Sequence, residues 1–355
     1  MSAGTTRSRS RHREPSEMTS RRFGCTDCLL YQSGMVRGKL HPTQSPRPLV
    51  LRLGAEVNVP TGSARGTLGF SSVTPWQALL MGLLQGATEL FPVSSLGHAV
   101  VIPRLLRWSY QQSDPTFVPF LTLLHLGTAG ALLLLYWRDW ARIVAGFFRA
   151  ALRGRIRTAD ERLAMLLLVG TVPTGAVGVV LESALKRLFA SPRAAGAFLL
   201  LNGGILLGGE VMRRRSERAG ATREQQEQDF KEAEQISFRA AAITGLAQVL
   251  ALLPGISRSG VTMTGGLLAG LRHQEAARFS FLLATPIIAA AGLLEVPQLF
   301  ERPSPLGLYT AAAVLAGVAA FVSARFLIRY FRSGRLDPYG WYCAGLGLAA
   351  LVLLR

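Results

Sequence analysis

The sequence predicts an all-α, polytopic membrane protein built from two similar halves. Of its 355 residues, 49% are hydrophobic and 17% are charged, whereas about a quarter of the residues in soluble domains are charged. From Trp76 onward, apolar runs recur between short arginine-rich stretches. Because these runs are long enough for helices that cross a bilayer, we expect an integral membrane domain over residues 73–355.

The apolar segments divide into uninterrupted spans and two interrupted pairs. The uninterrupted spans are predicted near residues 117–137, 163–181, 195–212, 279–296, 307–330 and 338–354. The first interrupted pair covers 76–91 and 94–107, and the second covers 239–253 and 260–271. In each pair, a Pro-led stretch rich in Ser and Gly separates two half-length segments.

The two interrupted pairs share a pattern that predicts inverted repeats. The matching residues are Gly82, Gln85, Pro92, Ser94, Ser95 and Gly97 in the first pair, and Gly245, Gln248, Pro254, Ser257, Ser259 and Gly260 in the second. We expect repeat 1 over about 76–212, a charged linker over about 213–238, and repeat 2 over about 239–355. Re-entrant broken helices that meet near the bilayer midplane are typical of such repeats. Two Pro-kinked helices are the alternative.

Much of the net charge of +18 lies in loops between apolar spans, which favours a membrane partner over nucleic acid. The 138–162 loop, the start of the linker and the segment 325–335 are rich in arginine and are expected on the cytoplasmic side. Residues 1–72 form a basic arm that we expect to be disordered. This orientation places the basic arm on the outer side of the membrane, which conflicts with the positive-inside rule. The Cys25-x-x-Cys28 pair is interpreted as incidental, because no second pair accompanies it.

The first break places ionisable groups in an apolar setting, where each costs roughly 2.5 to 3.5 kcal/mol on insertion scales. It carries Glu89, Ser94, Ser95 and His98. Glu89 is a candidate general base, metal ligand or ion-pair partner. His98 is a candidate nucleophile or general acid, or a buried hydrogen-bonded imidazole, and we favour a catalytic role because it follows Glu89 so closely. Ser95 is a second candidate nucleophile.

The second break, "LPGISRSG", places Arg258 between two serines and two glycines. Guanidinium donors match phosphate oxygens, and hydroxyl and backbone N–H groups complete an anion site. A structural ion pair with Glu89 is the alternative. The expected substrate-binding residues of the two breaks are Gln85, Ser94, Gly97, Gly255, Ser257, Ser259 and Gly260. This set of groups fits phosphoryl transfer from a membrane-embedded substrate to water.

The stretches "QGATELFPVSSLGH" and "PGISRSGVTMTGG" resemble the undecaprenyl-diphosphatase family, the bacitracin-resistance type of integral membrane phosphatase. The resemblance covers about residues 75–355. It implies hydrolysis of undecaprenyl diphosphate to undecaprenyl phosphate and inorganic phosphate, which recycles the lipid carrier for peptidoglycan synthesis. It also implies a plasma-membrane location, a site open to the outer face, and a divalent cation, Mg²⁺ or Ca²⁺. The expected partners are the lipid and the bilayer, with a homodimer as a candidate state.

The resemblance implies that Glu89 is the acidic catalytic or metal-associated residue. It also implies that Ser95 and His98 are candidates for the nucleophile or for proton transfer, and that Arg258 binds the phosphate. Gln85 stands where some members have a second acid, which puts a two-carboxylate metal site in doubt. His125, on the following span, is interpreted as a packed helix histidine. A transporter or flippase that binds the lipid without hydrolysis is the alternative function.

Overall fold

The computed structural model describes residues 73–108, 114–189, 191–219, 232–301 and 304–354. The predicted N-terminal arm, residues 1–72, and the middle of the predicted linker, residues 220–231, lie outside them. The α-helices in the described residues are α1 (Pro75–Thr88), α2 (Ser95–Leu105), α3 (Phe117–Leu135), α4 (Trp137–Arg153), α5 (Ala159–Val180), α6 (Glu182–Phe189), α7 (Pro192–Ala219), α8 (Phe238–Gln248), α9 (Arg258–Leu268), α10 (His273–Glu295), α11 (Leu306–Tyr330) and α12 (Asp337–Leu353).

The long apolar helices confirm the prediction of an all-α, multi-pass membrane protein. The helical segments long and apolar enough to cross a bilayer are Phe117–Leu135, Ala159–Val180, Pro192–Arg215, His273–Leu299 and Leu306–Tyr330. Each coincides with one of the predicted uninterrupted spans. The sixth predicted span is α12, which has 17 residues.

The first predicted break separates α1 from α2. Ser94 caps α2: its backbone lies in the left-handed region, at φ 68°, and its Oγ accepts a hydrogen bond from Gly97 N. Pro92 lies inside the break, and a proline disfavours helical geometry in the residue before it. The chain therefore leaves one helix and starts another.

The second predicted break has the same construction. After α8, a 3₁₀ turn covers Val249–Leu252, and α9 starts at Arg258. Gly255 has φ 114°, a conformation that favours glycine, and Ser257 Oγ caps α9 by accepting a hydrogen bond from Gly260 N. Both pairs are therefore interrupted helices and not Pro-kinked ones. That each pair is re-entrant stays a prediction.

The two broken pairs pack against the rest of the fold in equivalent ways. Helix α1 packs against α11, and α8 packs against α5. Gly82 of α1 lies against the backbone carbonyl of Ala312, and Gly245 of α8 lies against the backbone of Gly170. The glycines that match in the sequence thus make the same kind of helix contact, which supports the prediction of two repeats.

Ion pairs gather several helix ends into one end of the described structure, which we call the basic end. Arg278, near the start of α10, contacts Asp139 of α4 and Glu234 just before α8 at 3.1 and 3.0 Å. His273, also at the start of α10, lies 3.0 Å from Glu210 of α7. The start of α10 therefore meets the segment after α3, the later part of α7 and the approach to α8.

The predicted 138–162 loop is wrong over most of its length, because residues 137–153 form the amphipathic helix α4. Ile143, Gly146 and Ala150 are buried, and α4 packs against α5. Arginines at positions 138, 142, 149 and 153 interrupt the apolar residues, so the segment has no apolar run of membrane-spanning length.

We expect Gly82→Ala and Gly245→Ala each to destabilise the protein by about 1–3 kcal/mol, because a Cβ at either position would overlap a neighbouring helix backbone. The measurement is thermal unfolding of the purified chain in detergent. Gly208→Ala is the control, since a Cβ there meets no atom within 4 Å and alanine favours the helix by about 1 kcal/mol. Equal melting temperatures for all three variants would contradict this packing.

Candidate active site

A buried carboxylate lies at the centre of the first break. Glu89 follows the last residue of α1, and only 7% of its surface is exposed. Its Oε2 accepts hydrogen bonds from Ser95 Oγ at 2.6 Å and Gln85 Nε2 at 2.8 Å, and its Oε1 accepts one from Arg258 Nη2 at 3.1 Å. These donors offset the cost of holding a carboxylate among apolar helices.

Arg258 brings the second break to the first. It is the first residue of α9, and besides Glu89 it donates from Nη1 to the carbonyl oxygen of Ser280 at 3.2 Å. The ion pair with Glu89, one of the two interpretations of Arg258, is therefore formed. It does not exclude the other interpretation, because a guanidinium has five N–H donors and Arg258 also lines a cavity.

Asn202, on α7, ties the two breaks together, and the sequence analysis did not single it out. Its Nδ2 donates to the carbonyl oxygen of Pro92 at 3.0 Å, and its Oδ1 accepts from Ser257 N at 2.9 Å. The side chain is fully buried. A lone amide in an otherwise apolar span is the signal that could have identified it, since a buried amide needs partners.

The predicted serines take different positions. Ser94, Ser95 and Ser257 line the cavity beside Glu89. Ser259 lies 3.0 Å from Ser257 Oγ and donates from its own Oγ to the carbonyl oxygen of Phe91 at 3.0 Å. Ser259 therefore links the breaks and does not line the cavity.

The predicted glycines allow close contact between the breaks. A Cβ on Gly97 would lie 2.9 Å from the Cα of Gly255, and Gly255 itself packs against the backbone of α7. The N–H groups of Gly97 and Gly260 are used by the two serine caps. None of these three glycines lines the cavity.

His98 lies away from the cavity. Its Nδ1 is 2.7 Å from the carbonyl oxygen of Ser94, and its Nε2 is 2.8 Å from the hydroxyl of Tyr342, on which the imidazole ring stacks. With 1% of its surface exposed, His98 has the geometry of a buried, hydrogen-bonded imidazole. Its contact with Ser94 fixes the turn that presents Ser95.

His125, by contrast, lines the cavity next to Glu89. Its Nδ1 is 2.7 Å from the carbonyl oxygen of Leu121, which only accepts, so Nδ1 must carry a proton. Its Nε2 is 3.3 Å from Glu89 Oε2. A favourable contact there needs a second proton, on either the imidazole or the carboxyl group. The sequence analysis interpreted His125 as a packed helix histidine, whereas the structure shows that it shares a proton with Glu89.

A cavity of about 300 Å³ extends from these polar groups. Its other walls are mostly apolar and come from α3, α5 and α10, including Val118, Val179 and Leu294. Val179 and Leu294 are exposed, at 60% and 55%. They lie late in α5 and α10, whose first residues lie at or near the basic end, so the cavity extends toward the opposite end.

The side chains around Glu89 do not fit a protein-built site for a divalent cation. The described residues contain no group of three or more His, Cys, Asp and Glu side chains that could hold a metal ion. Glu89 supplies one carboxylate, and both of its oxygens already accept hydrogen bonds, one of them from a guanidinium. Hard cations prefer six or more oxygen ligands.

Comparison with known proteins identifies the family of this chain. A family model described as bacitracin resistance protein BacA matches residues 78–349, which include both breaks. An undecaprenyl-diphosphatase of Mycolicibacterium paratuberculosis is 49% identical over 297 residues, covering 78% of this chain and 96% of that protein.

Similar relatives occur in other bacteria. An undecaprenyl-diphosphatase of Acidiphilium cryptum is 45% identical, covering 79% of this chain and 99% of its own length. The undecaprenyl-diphosphatase 2 of Chromobacterium violaceum is 44% identical, covering 78% and 97%. With a matching family model across most of the membrane domain and relatives of this identity, the chain belongs to the bacitracin resistance protein BacA family.

Proposed function

We propose that this chain hydrolyses undecaprenyl diphosphate to undecaprenyl phosphate and inorganic phosphate, and so recycles the lipid carrier of peptidoglycan synthesis and confers bacitracin resistance. The observation that best supports this proposal is the cluster of Glu89, Ser95 and Arg258 at the inner end of an apolar cavity. The names of the relatives support the same substrate and reaction.

The cavity suits a lipid diphosphate because its two ends differ in polarity. At the inner end, Arg258 and the first-turn N–H groups of α2 and α9 that the serine caps do not use are donors for phosphate oxygens. Toward the outer end, apolar walls suit a prenyl chain. A cavity of about 300 Å³ holds only the first part of such a chain, so the rest extends past Val179 and Leu294 into lipid.

Ser95 is the nucleophile that the geometry favours. Its Oγ donates to Glu89 Oε2 at 2.6 Å, so Glu89 can take the hydroxyl proton as Oγ attacks the terminal phosphorus atom. The bond to the bridging oxygen breaks, and undecaprenyl phosphate leaves. Water then attacks the phosphoserine and releases inorganic phosphate. Arg258 offsets the negative charge that develops on the transferred phosphoryl group.

His125 is the second group that handles protons in this mechanism. It shares a proton with Glu89 across 3.3 Å and borders the cavity, so it can protonate a leaving phosphate oxygen. His98 supports the same step indirectly, by holding the backbone of Ser94.

The charge distribution orients the site in a bacterial plasma membrane. The positive-inside rule assigns the basic end to the cytoplasm. Because the cavity extends toward the opposite end, the site opens to the outer face, where recycled lipid diphosphate would be encountered. A divalent cation, implied by the resemblance, would have to draw its remaining ligands from the diphosphate and water, and no step here depends on it.

A flippase that only binds the lipid is not favoured. Binding requires Arg258 and the helix N-termini, but it does not require a serine hydroxyl bonded to a carboxylate and a second proton-bearing group beside it. The relatives are also named as diphosphatases.

Phosphate release from a long-chain prenyl diphosphate in detergent tests the proposed function. We expect release by the wild type and a loss of at least about 10²-fold in Arg258→Lys, since an ammonium cannot keep both guanidinium contacts. Arg239→Lys, at an exposed arginine, is the control and should match the wild type. A folded wild type that binds the lipid but releases no phosphate would refute hydrolysis and support the flippase.

Ser95→Ala should lower phosphate release by at least about 10³-fold, because the attacking oxygen is lost. The decisive measurement uses substrate labelled in its terminal phosphate and an acid quench during turnover. We expect label on the peptide that contains Ser95, and none in Ser95→Ala. Turnover without labelled protein, together with an active Ser95→Ala, would mean that water attacks directly. Ser333→Ala, at an exposed serine, controls for the substitution itself.

His125→Phe should lower the rate by about 10²–10⁴-fold and change the shape of the pH–rate profile, because a proton-transfer group is removed.

His98→Ala should lower thermal stability and reduce the rate of phosphate release by the same factor at every pH. Tyr342→Phe removes the hydroxyl that contacts His98, so it should lower stability and rate in the same way as His98→Ala but by less. A changed profile in His98→Ala and an unchanged one in His125→Phe would reverse the two roles.

A further inference from the structure

The C-terminal end of α11 and the turn after it carry three arginines that the active site does not use. Arg325 and Arg329 are four residues apart on one face of α11, and Arg332 lies in the turn that follows the helix. All three are exposed, and none forms an ion pair within the part of the chain that the structure describes. Arg325 makes one contact with a ring, 5.8 Å from the centroid of Phe321.

Other arginines at the basic end are held by carboxylates. Arg142 contacts Asp139 at 2.7 Å, Arg213 contacts Glu210 at 2.7 Å, and Arg278 contacts Asp139 at 3.1 Å. Structural ion pairs therefore account for those positions. They do not account for Arg325, Arg329 and Arg332.

The three arginines border a cavity of about 640 Å³ between the ends of α11 and α3. We call it the arginine pocket, and its lining residues are Leu135, Arg325, Phe326, Ile328, Arg329 and Arg332. Its lining thus combines three guanidinium groups with three apolar side chains. A soluble anion would have no use for the apolar part.

The arginine pocket lies at the basic end and at the depth of a membrane interface. Phe331, which directly follows α11, stacks on His273 at 6.3 Å. Trp137, two residues after Leu135, is 59% exposed and has Arg138 over its ring at 5.3 Å. Exposed tryptophan and arginine at a helix end are typical of the boundary between hydrocarbon and headgroups.

We propose that the arginine pocket binds an anionic diacyl phospholipid of the leaflet at the basic end. The guanidinium groups take the phosphate of the headgroup, and Leu135, Phe326 and Ile328 contact the start of an acyl chain. Attraction to anionic lipid is worth about 1 kcal/mol for each arginine near the surface, which corresponds to about fivefold in affinity. The ligand is thus bound at the opposite end of the molecule from the opening of the catalytic cavity.

Lipid binding to the purified full chain tests this proposal. Phosphatidylglycerol or phosphatidylcholine is titrated into the protein in detergent, and bound lipid is counted by native mass spectrometry. The pocket variant carries Arg325→Gln, Arg329→Gln and Arg332→Gln. The control variant carries Arg155→Gln, Arg157→Gln and Arg239→Gln, which removes the same charge from exposed arginines outside the pocket.

We expect the wild type to prefer phosphatidylglycerol, the pocket variant to lose roughly 100-fold in affinity for it, and the control variant to lose less than about threefold. Phosphate release by each variant reports folding. If the pocket variant fails to fold, Phe326→Ala keeps every charge and should weaken binding several-fold. Equal binding of both lipids, equal losses in the two triple variants, or displacement of the lipid by inorganic phosphate alone would each overturn the proposal.

Discussion

The contact between Glu89 and Arg258 is the interaction on which the rest of the site depends. A carboxylate and a guanidinium can remain at this depth only if each has partners, and each supplies one to the other at 3.1 Å. The pair joins residues 169 positions apart in the sequence and holds the two breaks face to face. Because it leaves further guanidinium donors beside the cavity, the same contact both stabilises the fold and prepares an anion site.

Close backbone packing is what allows that contact to form. Gly97 and Gly255 let the breaks approach, and Gly82 and Gly245 let the first half of each broken pair pack directly on a neighbouring helix. Without a hydrophobic driving force between helices in lipid, such small-residue contacts and buried hydrogen bonds must hold the bundle together. Asn202 adds hydrogen bonds to both breaks and so fixes their positions relative to each other.

The sequence predicted the features that depend on local pattern. The apolar spans and the two breaks follow from hydrophobic run length and from Pro, Ser and Gly. The cost of buried charge suggested the Glu89–Arg258 ion pair only as the alternative to phosphate binding by Arg258. It did not predict α4, whose apolar face is too narrow to form a run. It also favoured His98 for the catalytic role and interpreted His125 as a packed histidine, whereas His125 is the one beside Glu89, since that depends on how α3 and α12 pack around the break.

The chemistry is divided between two halves that are otherwise alike. In each half a serine caps the second helix, and the residue after the cap has a role in the proposed reaction: Ser95 in the first break and Arg258 in the second. Four residues after the glutamine that matches between the halves, the first half has Glu89 and the second has Leu252. In the proposed mechanism, one repeat thus supplies the nucleophile and the base, and the other supplies the cation. Neither break holds a complete site, so activity requires both to meet, which explains why so much of the buried hydrogen bonding joins one break to the other.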